Sequence, residues 1–328
     1  MKKLTFSIFF LTLFSSAMIF FASCSNKMPQ ETLPSTVETS ESSAVSEETT
    51  TDGSMPLSSA RVNGKLTGKY GRISVNKGFF VDKNGEKIAV CGLFCDYEGM
   101  PDSFYNKDTF QTFAEDWGCG MMEIPVFYDH NGEGFINEGD GYLNRICEYI
   151  NLCTESGMYA VVYIDGTVPA DSAGAVDFFK RLSAIYTGNE AVLYEIAYND
   201  NEGYKSYRDR MINAIRENDL DSLIICELKD LTSVSENALS GDNIAYSAGF
   251  VDSDEFPGIL NSVMVSGYPV IVTYNDDIPT SLRECWIYRN TKALFNPDTE
   301  LEKLLFGHWS DDMLYKGTII RNIMLIGL

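Results

Sequence analysis

The chain has 328 residues, of which 45% are hydrophobic and 12% aromatic, the composition of a globular protein with a sizeable core. Its formal net charge is -22. A chain this acidic repels phosphate backbones, so the charge argues against a nucleic-acid partner. Neutral polysaccharides, peptides and cationic ligands remain compatible with it.

Residues 1–24 have the pattern of a bacterial lipoprotein signal peptide. Lys2 and Lys3 precede a Leu-, Phe- and Ile-rich stretch, and Ala22 and Ser23 stand directly before Cys24. We expect Cys24 to carry a lipid anchor that ties an exported protein to the cell envelope, with no other membrane contact. An uncleaved transmembrane anchor is the alternative, because the apolar stretch nearly reaches bilayer-spanning length.

The remainder divides into a linker and a folded part. Residues 25–60 are dominated by Ser, Thr, Glu and Pro, which cannot bury enough apolar surface to offset chain entropy, so we expect a disordered linker. Residues 61–328 form the predicted domain. From about Gly68, apolar and polar residues alternate around Lys83-Asn84-Gly85, which predicts a β-hairpin.

After the hairpin, short apolar runs alternate with helix-like segments. The predicted strands are Ile88–Cys95, Met121–Val126, Tyr159–Ile164, Val192–Ala197, Leu223–Glu227, Ile244–Phe250 and Val270–Tyr274, with a weaker eighth near Thr291–Phe295. The predicted helices are Lys107–Trp117, Tyr142–Glu155, Ala173–Tyr186, Tyr204–Glu217 and Ser253–Met264. This alternation predicts an α/β protein with βαβ units, and eight units predict a closed (β/α)8 TIM barrel with an N-terminal β-hairpin.

The cysteines and histidines offer little for metal or nucleophilic chemistry. Seven cysteines follow Cys24, spaced singly, which favours buried thiols over a disulfide scaffold. The pairs Cys91–Cys95 and Cys147–Cys153 could form disulfides only where local geometry allows it. The two histidines, His130 and His308, are too few for a His-ligated zinc site or a Ser-His-Asp triad.

A loop at Asp129–Gly141 carries Asp, Asn, Glu and Gly at close spacing. Its oxygen-bearing side chains are of the type that binds calcium, but the order is not that of an EF-hand, and acidic Gly-rich loops are usually solvated turns. We therefore expect no metal and no cofactor.

Four blocks of this sequence resemble glycoside hydrolase family 5, the cellulase family. They are GRISVNKGFFVDKNGEKIAVCG, FAEDWGCGMMEIPVFY, GDGYLNRICEYINLCTESGMYAVVYID and HWSDDMLYKGTIIRNI. Two further segments, VLYEIAYNDNEG and PVIVTYNDD, resemble the strands that in this family read roughly YEIANEP and VTEWG and carry its two essential glutamates. The resemblance implies a barrel of retaining glycosidase type, in which an acid/base and a nucleophile stand about 5–5.5 Å apart.

The residues that would perform this chemistry are substituted. In gapless register the acid/base position falls on Asn199 and the nucleophile position on Tyr274. The family positions that surround them fall on Glu123, Tyr163, Asp165 and Tyr198, which we assign as candidate binding residues. We expect Tyr274 to face inward and fill the emptied cleft.

Three functional hypotheses follow. The first is a surface-tethered, catalytically degenerate barrel that binds a β-linked polysaccharide or oligosaccharide, or a protein partner. The second is an active retaining endo-β-glycosidase of the β-glucan or cellulose class, in which Asp200 and either Asp276 or Asp277 replace the lost glutamates. The third is a structural scaffold, favoured by the presence of only three tryptophans, of which Trp117 is expected in the core.

Overall fold

A computed structural model gives the fold of the chain. It describes residues 66–95, 105–129, 132–164, 173–199, 203–239, 241–277, 279, 284–294 and 315–326. Every described residue belongs to one compact unit, Ser59–Leu328. The predictions for residues 1–60, including Cys24, and those for Asp165, Asp200, His130 and His308 fall outside the described residues.

Eight parallel strands among the described residues close into a barrel. In chain order they are β3 (Cys91–Phe94), β4 (Met121–Val126), β5 (Tyr159–Ile164), β6 (Val192–Ile196), β7 (Ile224–Glu227), β8 (Ile244–Gly249), β9 (Val270–Tyr274) and β10 (Cys285–Tyr288). Each strand pairs with the next, and β10 closes the barrel against β3. The predicted (β/α)8 barrel is therefore confirmed.

The last strand is not where the sequence pattern placed it. The predicted strand near Thr291–Phe295 was wrong, because the eighth strand is Cys285–Tyr288 and a 3-10 turn occupies Thr291–Leu294. The correct strand is only four residues long and follows the polar run Ser281–Glu284. Such a short run carries a weak strand signal.

Helices surround the barrel. They are α1 (Leu66–Tyr70), α2 (Lys107–Glu115), α3 (Phe135–Glu138), α4 (Asp140–Glu155), α5 (Ala173–Ile185), α6 (Tyr204–Arg216), α7 (Val234–Asn237), α8 (Phe256–Val265) and α9 (Tyr315–Ile326). The five predicted helices correspond to α2, α4, α5, α6 and α8, with ends that differ by up to three residues. None of the helices in the described ranges combines the length and the apolar character needed to span a membrane.

The buried side chains form two layers, because a strand places alternate residues on opposite faces. One layer fills the barrel interior and includes Val161, Leu193, Ile225, Ile271 and Ile287. The other lies between the strands and the helices and includes Trp117, which is fully buried as expected. The seven described cysteines are free thiols, and all except Cys147 are buried, so neither suggested disulfide is present.

The N-terminal hairpin closes the amino end of the barrel. Strands β1 (Ser74–Asn76) and β2 (Phe79–Val81) pair antiparallel, and their turn is Lys77-Gly78, where both φ angles are positive. The expected turn at Lys83-Asn84-Gly85 is also present and returns the chain to a single bridge between Val81 and Lys87. Phe80 packs into the interior layer, so the hairpin covers the amino end of the barrel.

Gly78 fixes the hairpin against α8, and we expect Gly78→Ala to destabilise the protein by roughly 2 kcal/mol or more. Its φ is +83°, and an added Cβ would lie 1.8 Å from the Met264 carbonyl oxygen. Chemical denaturation would measure the change. Gly85→Ala is the matched control, because Gly85 has a φ of +81° but open space around its Cβ position. An equal loss for both variants would show that backbone strain alone, without the contact to α8, explains the effect.

Candidate active site at the carboxyl ends of the strands

Polar side chains replace the apolar interior layer near the carboxyl ends of the strands. The two-residue alternation that points Val161, Leu193 and Ile225 at the barrel axis also points Tyr163, Glu195 and Glu227 there. In TIM barrels this end of the strands carries the chemistry. These side chains therefore define a candidate site at the carboxyl ends of the strands.

Arg289 lies at the centre of this site and contacts three carboxylates. Its Nε donates to Glu123 Oε2 at 2.9 Å, and its Nη2 donates to Glu123 Oε1 at 2.7 Å. Nη2 also donates to Glu195 Oε1 at 3.0 Å, and Nη1 donates to Glu227 Oε1 at 2.8 Å. The backbone N–H of Arg289 donates to the Tyr274 carbonyl at 2.7 Å, so β9 and β10 place the guanidinium over the barrel axis.

Three further residues, Tyr163, Tyr198 and Ser247, contact this group. The guanidinium of Arg289 lies 4.6 Å from the centre of the Tyr163 ring, within cation–π distance. Glu227 Oε2 accepts from the Tyr198 backbone N–H at 3.0 Å, and the Ser247 hydroxyl donates to Glu195 Oε1 at 2.6 Å. We call Glu123, Tyr163, Glu195, Glu227 and Arg289 the mouth cluster.

The mouth cluster contains more negative than positive groups. Glu123 and Glu195 are fully buried, whereas Glu227 and Arg289 keep 18% and 15% exposure. Burial, followed by the charge of Glu123, raises the pKa of Glu195 well above its ordinary value, and Arg289 and Ser247 offset this only in part. Burial opposes the charge of Arg289, but Glu123 and Glu195 more than compensate, so the pKa of Arg289 is raised.

The nucleophile position does not face the site. Tyr274 is buried in the outer layer, with its ring stacked 4.8 Å from Phe250 and edge-on to Trp286. Because Ile271 faces the axis, the alternation turns Thr273 inward and Tyr274 outward. The expectation of an inward-facing Tyr274 was therefore wrong. Asn199 follows β6 and is half-buried.

Asp276 and Asp277, the proposed replacements for the nucleophile, follow β9 and lie outside the mouth cluster. Asp276 Oδ1 accepts from the Asn290 side chain at 2.8 Å, and Lys316 Nζ donates to the Asp276 carbonyl at 2.7 Å. The side chain of Asp276 is 78% exposed, and Asp277 is also exposed. Within the described residues, no hydrogen bond or ion pair joins either aspartate to the mouth cluster.

The sequence analysis found two members of the mouth cluster, Glu123 and Tyr163, and the neighbouring Tyr198, and it missed the other three members. Glu123, Tyr163 and Tyr198, assigned as candidate binding residues, come together in the structure. Glu195, Glu227 and Arg289 were missed. Their signal was present, since two glutamates and one arginine stand within or directly beside the apolar runs VLYEI, IICE and CWIY. A charge in a buried strand requires a partner.

Side chains of the acidic loop after β4 accept hydrogen bonds from neighbouring groups. Glu138 Oε1 accepts from the Gly134 N–H at 3.1 Å and from Arg145 at 2.7 Å, and Asp129 accepts from the Asn137 side chain. These bonds engage one oxygen of Glu138 and one oxygen of Asp129. The residues that the structure describes contain no group of three or more His, Cys, Asp or Glu side chains arranged to hold a metal.

A closed parallel barrel with a polar cluster at the carboxyl ends of its strands places the chain in the class of TIM-barrel proteins that carry a site at that face. The model of one family, described as cellulase (glycosyl hydrolase family 5), matches residues 81–267. Because this match covers more than half of the chain, the protein belongs to glycoside hydrolase family 5.

Characterised relatives and solved structures agree with this assignment. Endoglucanase E-5 of Thermobifida fusca is 24% identical over 62% of this chain and 48% of its own length, and endoglucanase A of Butyrivibrio fibrisolvens is 25% identical over 62% and 52%. The chain thus spans about half the length of these relatives. The catalytic domain of Thermobifida fusca endoglucanase Cel5A in complex with cellotetraose superposes with a TM-score of 0.66 at 20% identity, covering 80% of this chain and 99% of that domain. Structural likeness at this identity concerns the fold alone.

Proposed function

We propose that this family 5 barrel binds β-linked glucan chains across the carboxyl ends of its strands without hydrolysing them by the retaining mechanism. The observation that carries the proposal is the mouth cluster, in which Arg289 holds all three inward-facing glutamates of the described strands. The two positions aligned with the catalytic carboxyls hold Asn199 and the outward-facing Tyr274.

The argument against hydrolysis rests on access and charge. Retaining hydrolysis needs one carboxyl that donates a proton and a second, free carboxylate that attacks the sugar. Glu123 and Glu195 are fully buried and cannot contact a sugar ring. Glu227 is partly exposed, but each of its oxygens already accepts a hydrogen bond, one of them from the Arg289 cation. The mouth cluster therefore offers Glu227 no second accessible carboxyl group with which to form a retaining pair.

The argument for glycan binding rests on the surroundings of the cluster. Phe94, Tyr163 and Tyr198 are each partly exposed near the carboxyl ends of β3, β5 and β6. Aromatic rings offer flat apolar surface to a pyranose, and tyrosine adds a hydrogen-bonding group. Neutral glucans are not repelled by an acidic protein, and the related Thermobifida endoglucanase domain was solved in complex with cellotetraose.

Tyr198→Ala tests the binding proposal. We expect the full chain to bind soluble β-glucan oligosaccharides, and the variant to bind roughly three- to tenfold more weakly, the loss typical of one aromatic contact. Isothermal titration calorimetry would measure both affinities. Tyr268→Ala is the matched control, because Tyr268 is equally half-buried but precedes β9 and so lies at the opposite end of the barrel. Equal affinities for Tyr198→Ala and the unmodified chain would contradict the proposed binding face.

Active hydrolysis with displaced carboxylates is the second candidate. It is favoured by Asp276 and Asp277, whose side chains are exposed directly after β9, and by Asp200 in the sequence beside the lost acid/base position. Turnover of soluble β-glucans, mannans and xylans by the full chain would be measured beside Asp200→Ala. Sustained hydrolysis that the substitution abolishes would establish this candidate and overturn the first.

A further inference from the structure

Glu195 is a buried ionisable group that plays no direct part in the proposed glycan contact. It lies on β6 and is fully buried. Its Oε1 accepts from the Ser247 hydroxyl at 2.6 Å and from Arg289 Nη2 at 3.0 Å. Among the residues that the structure describes, its Oε2 is buried and has no hydrogen-bond partner. The two oxygens of this one carboxyl group therefore have different environments.

The two other glutamates of the mouth cluster differ from Glu195 in this respect. Both oxygens of Glu123 accept from Arg289, and both oxygens of Glu227 accept from N–H donors. A single guanidinium cannot neutralise three carboxylates, and an ionised oxygen without a donor is far more costly to bury than a neutral one. The proton that reduces this charge imbalance therefore belongs on Glu195 rather than on its neighbours.

We propose that Glu195 Oε2 holds a proton in the folded barrel and that its release to solvent makes the mouth cluster sensitive to pH. The effect on ligands rests on the proposed function, since it concerns the same site. Among the described residues, the ionisable groups that face Glu195 are Glu123 on β4, Tyr163 on β5, Glu227 on β7 and Arg289 after β10, while Cys226 of β7 lies in the outer layer.

The direction of the pH dependence follows from the geometry and from the raised pKa of Glu195. At pH values above 4.5, the ordinary pKa of a glutamate, the unfolded state has lost this proton, whereas the folded state retains it. The contribution of protonated Glu195 to the free energy of unfolding is fully present below pH 4.5 and is lost as the pH rises through the pKa of Glu195 in the folded state. Ionised Glu195 would also compete for Arg289, whose other contacts, Glu227 and Tyr163, lie at the glycan-binding face.

Glu195→Gln tests the proton, because glutamine is neutral and its Oε1 can keep the bonds from Ser247 and Arg289. We expect the folding equilibrium constant of the unmodified chain to fall, relative to that of Glu195→Gln, by up to about tenfold per pH unit within the range from about pH 5 to about pH 8. Chemical denaturation across this range would measure it. Glu217→Gln is the control and should keep the dependence of the unmodified chain, because Glu217 is an exposed carboxylate that pairs with Lys180 outside the mouth cluster. Parallel curves for the unmodified chain and Glu195→Gln would overturn the proposal.

Two further measurements test the inference separately from the stability of Glu195→Gln and from the proposed function. Infrared spectroscopy of the unmodified chain should show the C=O band of a protonated, buried carboxyl group at neutral pH, and its absence would overturn the proposal even if Glu195→Gln fails to fold. The affinity for β-glucan oligosaccharides should fall with rising pH in the unmodified chain only. Glucan binding with the same pH profile in both proteins would refute the regulation and leave the proposed function standing. If the stabilities of the unmodified chain and of Glu195→Gln diverge with pH but neither protein binds glucan, the result would refute the proposed function and support the proton on Glu195.

Discussion

Arg289→Met should lower the free energy of unfolding by about 3–5 kcal/mol at neutral pH, the loss typical of removing one partner from a buried ion pair. The variant keeps an apolar stem over Tyr163 but leaves Glu123, Glu195 and Glu227 without their shared cation. The negative charges left in the mouth cluster would then repel one another, and protonation would relieve the repulsion. We therefore expect the deficit to shrink as the pH falls, and chemical denaturation at several pH values would measure this.

Arg181→Met is the matched control for this result. Arg181 pairs with Asp140 at 2.6 Å, but the two side chains are 38% and 80% exposed. Exposed pairs contribute about 0–1 kcal/mol, so the control should change stability little and show little pH dependence. A loss for Arg289→Met as small as that of the control would mean that the mouth cluster is not held by this cation.

Replacing Tyr274 with the glutamate typical of the family should damage the fold without creating an enzyme. Tyr274→Glu removes a ring packed against Phe250 and Trp286 and introduces a carboxyl group into the apolar outer layer. Loss of a large buried aromatic typically lowers stability by about 3–5 kcal/mol, and a buried carboxyl adds to that. Combined with Asn199→Glu, we expect no β-glucan hydrolysis, measured by reducing-sugar release.

Tyr274→Phe separates packing from the hydroxyl group. It keeps the stacked ring and should lower the free energy of unfolding by no more than about 1 kcal/mol, which is the typical contribution of a single hydrogen bond. If instead the Tyr274→Glu, Asn199→Glu protein folded normally and released sugar, position 274 would have to face the barrel axis. That result would contradict both the outward orientation and the proposed function.

The barrel itself was predictable because its strands are buried on both faces and read as continuous apolar runs. Met121–Val126, Tyr159–Ile164 and Val270–Tyr274 were placed to the residue. The same property hid the orientation of Tyr274. In a strand such as VIVTY, where only one residue is polar, no alternation of polar and apolar residues reveals which side chains face the axis.

The mouth cluster was not predictable as a unit, for a different reason. Its members are separated by up to 166 residues and meet only because β10 closes the barrel against β3. Glu123 could be assigned to the site by resemblance, but nothing local in the sequence indicates that its partner is Arg289. The misplaced eighth strand also removed Arg289 from consideration, since Arg289 directly follows the true strand.

The position of Arg289 in the chain has a consequence for synthesis on the ribosome. Residues 123, 195 and 227 emerge well before residue 289, and a domain generally folds as a unit. Until β10 has emerged, the nascent chain lacks both the strand that closes the barrel and the counter-ion that Glu123, Glu195 and Glu227 share. Barrel closure and the pairing of these glutamates with Arg289 therefore both await the synthesis of β10.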